Sequence, residues 1–356
     1  MRIIAVLLGI LVICVACARA ISQSACGLEP DSRRVLTAHR IIPPPLPQMH
    51  LLQIRRANGK SSLLVNVSPI MPKTTKYYVS SDHGSQWNQV KRPNNAGYTN
   101  VPLRYGPDLL RLAGNPQATS LYEFDSTTNC IDSVSMDNGK SWSTIISQWA
   151  NVNSVGKCLP IGIYGEDGER VYVYVYDDKN KGVWISKDYG RKFTFLTSEV
   201  FYVVESLADS RVMYGVGDHD EILKMSNDGG RTWERLESSR VIFKPVFLGS
   251  DNVLRTWDAD GHGNEDGYPY RIEQIQTDPK SVNSFYVLTC KGIFRSTNGG
   301  KTFILLPLES DKYQAIDRIA VDPVDGKYVY AQCNMNSLFR SDDQGCTWTR
   351  LDVASQ

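Results

Sequence analysis

The chain has 356 residues, with 39 lysines and arginines against 38 aspartates and glutamates, so its formal net charge is +1. Nucleic acids and acidic membrane surfaces recruit proteins through an excess of basic residues. The balance therefore gives no reason to expect either partner.

Residues 1–20 have the pattern of a secretory signal peptide. Arg2 supplies a positive start, residues 3–18 are apolar, and Ala18-Arg19-Ala20 forms a small-x-small cleavage site. An uncleaved anchor is the alternative, although the apolar run is short for a membrane span. The sequence predicts a secreted or periplasmic protein without stable membrane insertion after cleavage. Residues 21–48 form a proline-rich segment that leads into the folded part of the chain.

An eight-residue phrase recurs along the rest of the chain, and we call each copy a repeat turn. Serine is first, aspartate or asparagine third, glycine fifth, and tryptophan or phenylalanine last. The six copies are Ser80–Trp87, Ser135–Trp142, Ser186–Phe193, Ser226–Trp233, Ser296–Phe303 and Ser341–Trp348. An internal repeat of this kind indicates a repeat architecture.

The residue types of the repeat turn explain its shape. Aspartate and asparagine fold their side chains onto their own backbone to build a turn, glycine supplies the positive φ, and the aromatic ring is buried as the next strand starts. We therefore expect a structural role for the acidic or amide residue of each copy, namely Asp82, Asp137, Asp188, Asp228, Asn298 and Asp343.

Strand-like runs surround each repeat turn in the same order. Arg170–Tyr176 and Gly182–Ser186 precede the third copy, and a short run such as Trp233–Leu236 follows a copy. An earlier run, such as Ile272–Asp278, completes each unit. Short strands bounded by turn residues predict an all-β fold. Four strands per unit, repeated about an axis, are typical of the blades of a β-propeller.

The phrase resembles the Asp-box, or bacterial neuraminidase repeat, of sialidases, sortilin ectodomains, the plant photosystem II assembly factor and certain xyloglucanases. The resemblance implies an Asp-box β-propeller over residues 49–356, but those families differ in function. Successive copies start 55, 51, 40, 70 and 45 residues apart. This spacing predicts six blades with an insertion at residues 239–271. Seven blades are the alternative, if Val241–Trp257 and the segment before His50 contribute a degenerate blade.

Six cysteines follow the predicted signal peptide, at positions 26, 130, 158, 290, 333 and 346. In an exported protein this number favours up to about three disulfides, whose pairing the sequence leaves open. We expect Cys130–Cys158 and Cys333–Cys346, because each pair lies within about one repeat. Buried free thiols are the alternative.

The insertion contains the most distinctive loop, residues 258–267. Asp258, Asp260 and Asp266 have a spacing that resembles the calcium loops of some other propellers, and carboxylate oxygens suit a hard cation. His262 departs from that pattern, since a neutral imidazole is a poor calcium ligand. A metal-free polar loop is the alternative.

Three aromatic residues flank this loop. A long loop on a rigid scaffold is a good place for recognition, and aromatic rings can stack on a sugar or on a protein surface. We therefore expect ligand-binding residues at Trp257, Tyr268 and Tyr270.

The resemblance to sialidases does not extend to a catalytic set. Their Arg-Ile-Pro segment has its nearest counterpart in Arg40-Ile41-Ile42-Pro43, which is one residue too long. An extra residue turns a side chain to the opposite face of a strand. No zinc motif and no nucleophile elbow is present either.

We therefore expect a monomeric module that binds a glycan or a protein. A sialidase-like glycoside hydrolase is the first alternative. The second is an extracytoplasmic assembly or scaffold factor, which the resemblance to sortilin and to the photosystem factor implies.

Overall fold

The computed structural model describes residues 48–57, 59–68, 75–92, 112–114, 120–124, 131–137, 140–145, 158–176, 179–217, 222–239, 246–248, 254–256, 272–289, 292–308, 316–333 and 337–353. These segments form strands and the turns that join them, and no helix among them is long and apolar enough to span a membrane. The predicted signal peptide and most of the proline-rich segment lie outside the described residues.

The described strands form six four-stranded antiparallel sheets, which we number in chain order. The first three sheets contain β1 (Gln48–Ala57), β2 (Lys60–Ser68), β3 (Lys76–Ser80) and β4 (Asn88–Val90); β5 (Leu112–Gly114), β6 (Leu121–Phe124), β7 (Ile131–Ser135) and β8 (Ser143–Thr144); and β9 (Cys158–Tyr164), β10 (Arg170–Val175), β11 (Gly182–Ser186) and β12 (Phe193–Thr197). The fourth sheet contains β13 (Val200–Glu205), β14 (Met213–Gly217), β15 (Leu223–Ser226) and β16 (Glu234–Arg235).

A two-stranded sheet follows, formed by β17 (Val246–Leu248) and β18 (Leu254–Thr256). The fifth and sixth sheets contain β19 (Ile272–Asp278), β20 (Ser281–Thr289), β21 (Gly292–Ser296) and β22 (Ile304–Leu305); and β23 (Ile316–Val321), β24 (Val329–Cys333), β25 (Ser337–Ser341) and β26 (Thr349–Leu351).

In each four-stranded sheet the strands lie side by side in chain order. The first strands of neighbouring sheets contact each other, β9 with β13, β13 with β19, and β19 with β23. First strands are mostly buried, as in β19, whereas both residues of the fourth strand β16 are exposed. The first strands therefore surround a common axis, and the fourth strands form the rim.

Each repeat turn connects the third and fourth strands of its sheet. The repeat turn of the fourth sheet illustrates the hydrogen bonds that hold such a turn. Ser226 Oγ donates to Asp228 Oδ1 (2.8 Å) and accepts the Gly230 N–H (2.8 Å). Asp228 also accepts the Thr232 hydroxyl (2.7 Å) and the N–H groups of Thr232 and Arg231 (both 3.0 Å). The hydrogen bond from the Thr232 hydroxyl is the main reason that the pKa of Asp228 is lowered to about 2.

The contact between the first and third residues recurs in every repeat turn. The serine hydroxyl lies 2.7–3.1 Å from the carboxylate or amide oxygen of Asp82, Asp137, Asp188, Asp228, Asn298 and Asp343. Asn298 makes the same contact as the aspartates because its Oδ1 is also an acceptor.

The fifth residue of the repeat turn links each sheet to the one before it. Gly84 has φ +90°, and a side chain there would meet Leu351 Cδ1 at 2.6 Å. The same arrangement places an apolar side chain of the preceding sheet against the glycine in four other turns. The pairs are Ile145 with Gly190, Leu196 with Gly230, Leu236 with Gly300, and Leu306 with Gly345.

Buried tyrosines on the second strands reach in the opposite direction, to the following sheet. Tyr214 Oη donates to the carbonyl of Val282 at 2.6 Å, and Tyr172 Oη donates to Glu205 Oε2 at 3.0 Å. Burial raises the pKa of both hydroxyls, so they remain protonated donors. The remaining tyrosine bridges are Tyr122 to the Gly168 carbonyl, Tyr286 to the Gln344 carbonyl (3.3 Å) and Tyr330 to His83 Nδ1 (3.2 Å).

These contacts arrange the sheets in chain order around the axis and bring the sixth sheet against the first, so the chain is a β-propeller. Leu236 and Tyr214 of the fourth sheet touch Gly300 and Val282 of the fifth directly. The β17–β18 hairpin therefore does not separate these two sheets, which favours an insertion at 239–271. The number of blades in the whole chain stays a prediction.

One expected disulfide is wrong. Cys333 ends β24 as a free, fully buried thiol, so it does not pair with Cys346. Burial raises the pKa of this thiol to about 12, which keeps it unreactive. Cys158 and Cys346 are each disulfide-bonded, but Cys130 lies outside the described residues.

We predict that Gly84→Ala destabilises the protein more than Gly229→Ala. Both glycines have positive φ, but a side chain at Gly229 meets nothing within 4 Å. Gly229→Ala should cost about 1 kcal/mol from backbone strain alone. Gly84→Ala should cost about 1–3 kcal/mol more, because the new methyl group displaces Leu351. Denaturant unfolding checks the difference, and equal losses would contradict the packing role of the glycine.

We predict that Asp228→Asn preserves the turn at neutral pH, whereas Asp228→Ala lowers the melting temperature. Asparagine already serves at the same position of the fifth repeat turn, in Asn298. Because the folded-state pKa of Asp228 is depressed, its stabilising effect is present above about pH 4 and is lost as pH falls toward 2. Thermal unfolding at pH 7 and at pH 3 should therefore show less acid sensitivity in Asp228→Asn than in the parent protein.

Candidate functional site

The structure does not position the site residues that the insertion was expected to supply. The calcium candidates Asp258, Asp260 and Asp266 and the aromatic candidates Trp257, Tyr268 and Tyr270 lie outside the described residues. Among the residues that are described, no group of histidine, cysteine, aspartate and glutamate side chains could hold a metal ion.

The acids of the repeat turns are occupied by local hydrogen bonds. The side-chain hydroxyl and backbone N–H of Ser141 lower the pKa of Asp137 to about 2. For Asp343, burial raises the pKa, but hydrogen bonds from Thr347 and Ser341 lower it further than burial raises it. A general acid needs a raised pKa, so these carboxylates stabilise turns rather than donate protons.

Polar side chains also lie on the strands nearest the axis. Gln274 bridges two sheets, since its Nε2 donates to the Ile319 carbonyl (2.7 Å) and its Oε1 accepts the Ile319 N–H (2.9 Å). Arg318 is 2% exposed, and burial lowers its pKa to about 10 although Asp317 raises it. These polar side chains lie near the axis, where a glycoside hydrolase with this fold would need its catalytic carboxylic acids.

Corresponding carboxylates occur on two adjacent first strands. Glu273 of β19 and Asp317 of β23 both lie at a β-bulge, where the register with the second strand shifts. Bulges often re-aim a side chain next to a functional site. These two acids are therefore the candidates for any chemistry at the axis.

Exposed aromatic side chains are concentrated on the third sheet. Phe195 of β12 and Tyr176, directly after β10, are 52% and 50% exposed, although large apolar side chains are buried in most of the described core. Phe195 and the half-buried Trp184 of β11 share one face of the sheet and form what we call the aromatic edge, whereas Tyr176 lies on the other face beside Tyr174. An exposed apolar group of this size on a soluble protein marks a candidate binding surface.

Edge-to-face ring contacts hold both exposed aromatic side chains of the third sheet in place. Phe195 packs edge-to-face on Trp184 with 5.5 Å between centroids, and Tyr176 packs edge-to-face on the buried Tyr174 at 4.8 Å. Trp184 Nε1 donates to the carbonyl of Asn180 at 2.9 Å, which fixes the turn that precedes β11. The exposed rings therefore lie on a rigid support.

The strand register explains why Phe195 and Trp184 meet. They are directly opposed on β12 and β11. Gly182 lies beside the ring, since a side chain there would meet Phe195 Cε2 at 2.9 Å. A larger residue at this position would displace Phe195 from its place against Trp184.

A second exposed apolar spot lies on the second sheet. Met136 and Trp142 of its repeat turn are 42% and 36% exposed. The corresponding aromatic residues Trp87, Phe193 and Trp233 are all less than 10% exposed. The second repeat turn therefore presents its aromatic residue where these three turns bury theirs.

The sequence analysis missed the aromatic edge, although an alignment of the six repeats carries a signal for it. Phe195 lies two residues after the closing aromatic residue of its repeat turn. The same position holds polar residues in four other copies, namely Gln89, Thr144, Arg235 and Arg350. The fifth copy has Leu305 at this position, which packs against a core cluster, so Phe195 stands out by its exposure rather than by its apolar character.

Comparisons with known proteins show the fold and leave the function open. No family model matches the chain. A stretch of 110 residues is 31% identical to the xyloglucanase Xgh74A of Acetivibrio thermocellus, and it covers 26% of this chain and 13% of that protein.

Two solved structures are similar at lower identity. The GH74 xyloglucanase from Xanthomonas campestris is 14% identical with a TM-score of 0.48, and the match covers 82% of this chain and 46% of that one. YCF48 from Cyanidioschyzon merolae is 13% identical with a TM-score of 0.42, over 89% of this chain and 90% of that one. The chain thus spans less than half the length of this xyloglucanase structure, and these relatives are β-propellers.

Proposed function

We propose that the protein is a binding β-propeller that holds a glycan at its aromatic edge. The observation that carries the proposal is the half-exposure of Phe195, whose ring is held edge-to-face by Trp184. A rigid exposed ring offers an apolar face to a ligand at little cost in side-chain entropy, because its rotamer is already fixed.

The polar surroundings of the aromatic edge suit a ligand with hydroxyl groups. Lys179 and Lys181 are exposed on either side of Asn180, in the turn that Trp184 anchors. Lysine supplies three hydrogen-bond donors to an acceptor. A sugar ring needs both an apolar surface to stack on and polar groups to orient it. The local sequence relative is named a xyloglucanase, which supports a glycan as ligand.

A protein partner is the second candidate function, and the second repeat turn favours it. Met136 and Trp142 expose an apolar surface on the second sheet. Methionine and tryptophan are enriched at protein interfaces. A scaffold or assembly factor would use this spot and leave the aromatic edge free for a different ligand.

We further propose that the chain is a secreted, monomeric, six-bladed Asp-box propeller with disulfides and with calcium bound in the insertion. The hydrogen bonds of the repeat turns support the Asp-box motif. The direct contact between the fourth and fifth sheets supports six blades. The spacing of Asp258, Asp260 and Asp266 supports the calcium.

We predict that Phe195→Arg weakens glycan binding without unfolding the protein. Arginine serves at the same position in two other repeats, as Arg235 and Arg350. Loss of the stacked phenylalanine should remove about 1.5–3 kcal/mol of apolar contact, which is about a tenfold or greater loss of affinity. A glycan array selects the ligand, and titration calorimetry measures both proteins.

Thr194→Arg is the matched control for this experiment. Thr194 is also exposed on β12, but it faces the opposite side of the strand. The Thr194→Arg variant should bind the selected glycan as the parent protein does.

Binding that survives Phe195→Arg would exclude the aromatic edge. Turnover of aryl glycosides that is lost in Glu273→Gln would instead identify a hydrolase. Capture of a protein lost on Met136→Ser, with no glycan bound, would favour the scaffold.

We predict that calcium raises the melting temperature of the protein and that Asp258→Asn with Asp260→Asn abolishes the rise. A ligand at a hundredfold excess over its dissociation constant stabilises the folded state by about 2.7 kcal/mol. Thermal unfolding in calcium and in chelator measures the effect. Identical melting in the two buffers would exclude a calcium site in the insertion.

A further inference from the structure

The contact between the first and sixth sheets contains a buried carboxylate. Asp322 follows β23, and its side chain has no exposed surface. Oδ1 accepts hydrogen bonds from Ser61 Oγ (2.5 Å) and from the N–H groups of Val324 (2.8 Å) and Asp325 (3.1 Å). Oδ2 accepts no hydrogen bond among the described residues. A buried charged oxygen without a donor is costly.

His83 of the first repeat turn faces this oxygen. Its Nδ1 lies 3.4 Å from Asp322 Oδ2 and 3.2 Å from Tyr330 Oη. Its ring stacks on Tyr328 at 3.7 Å with an angle of 11° between the planes. Its carbonyl accepts a hydrogen bond from Arg340 Nη1 at 3.0 Å. All four partners belong to the sixth sheet, so His83 joins the first sheet to the sixth.

The backbone at His83 has the conformation that its position in the repeat turn requires. Its φ is +60°, a conformation that few residues other than glycine adopt. Glycine fills the same position of the fourth and fifth repeat turns, as Gly229 and Gly299. Tyr189 and Gln344 have nearly the same φ at this position of the third and sixth repeat turns. The turn therefore sets this backbone conformation, and the side chain of His83 is free to serve the contact with the sixth sheet.

The other charged groups near the imidazole do not replace its interaction with Asp322. Lys327 lies over the ring of Tyr328, 4.6 Å from its centroid. Arg340 is directed to the backbone of His83 and to Ser85 Oγ (3.1 Å). Asp82, in the same turn, accepts hydrogen bonds from Ser80 and from the N–H of Gln86. Asp322 is the carboxylate that approaches the imidazole.

We propose that protonation of His83 locks the first and sixth sheets together, so that the propeller closes more firmly in mild acid. In the neutral imidazole, Nδ1 accepts the Tyr330 hydroxyl and leaves Asp322 Oδ2 without a donor. In the imidazolium, Nδ1–H donates to Oδ2 and forms a charge-assisted hydrogen bond. The proton comes from solvent, because the His83 side chain is 27% exposed.

The hydrogen bond from Nδ1–H to Asp322 Oδ2 exists only while the imidazole is protonated, so it contributes to the closing junction in mild acid and is lost when that proton leaves. Between pH 8 and pH 6 most carboxylates stay ionised. The chain has five histidines, so the His83→Gln variant is what identifies the contribution of His83.

The test is the melting temperature of the full chain at pH 8 and at pH 6. We expect a rise of about 2–4 °C on acidification, and we expect His83→Gln to abolish it. Glutamine suits this position, since Gln344 holds the same place in the sixth repeat turn with φ +64°. Asp322→Asn should abolish the rise as well, because it removes the anion but keeps an acceptor for Ser61.

Asp278→Asn is the matched control. Asp278 is the last residue of β19, at the position that corresponds to Asp322 directly after β23, and it is 3% exposed. Its Oδ1 accepts the Lys280 N–H at 2.8 Å. This variant should keep the rise. An unchanged rise in His83→Gln would overturn the proposal, and so would its absence in the parent protein. If Asp322→Asn does not fold, His83→Gln alone decides the question.

Discussion

The propeller depends on the close contact between an apolar side chain of one sheet and the fifth residue of the next repeat turn. That residue must adopt positive φ to close its own turn, and it must lack a side chain so that Leu351, Leu196 or an equivalent residue can approach. Glycine alone meets both conditions. Because one residue serves the turn and the junction, the local shape of each repeat fixes how neighbouring sheets pack. A short repeated phrase can therefore specify a ring.

The tyrosine bridges add direction to this packing. Each hydroxyl reaches the following sheet, whereas each glycine receives a side chain from the preceding one. The partner of the hydroxyl differs from junction to junction: a carbonyl for Tyr214, a carboxylate for Tyr172 and an imidazole nitrogen for Tyr330. A buried hydroxyl must find some partner, but several kinds satisfy it. The junctions thus share one donor position while their acceptors differ in charge and chemistry.

These features explain what could be predicted from the sequence. Serine, aspartate and glycine act within one turn, so their spacing predicted the turns, and the β-rich runs between the turns predicted the strands and the fold. The tyrosine acceptors belong to another sheet, and periodicity does not identify them. The expected Cys333–Cys346 disulfide failed because it was inferred from sequence separation, whereas Cys333 lies at the buried end of β24. Phe195 was missed because alternation predicts strand faces but not which rim positions stay uncovered.

The junction between the first and sixth sheets differs from the others in one respect that matters for folding. Its partners are far apart in sequence, as with Ser61 and Asp322, which are separated by 261 positions. Closing so long a loop costs more chain entropy than forming a contact between consecutive sheets. The interactions at this junction must therefore offset a larger cost, and they include a carboxylate, an imidazole and a guanidinium within one small region. Hydrophobic packing responds little to pH, whereas charged groups respond directly. The contacts that close the ring are therefore of a kind on which solution pH acts.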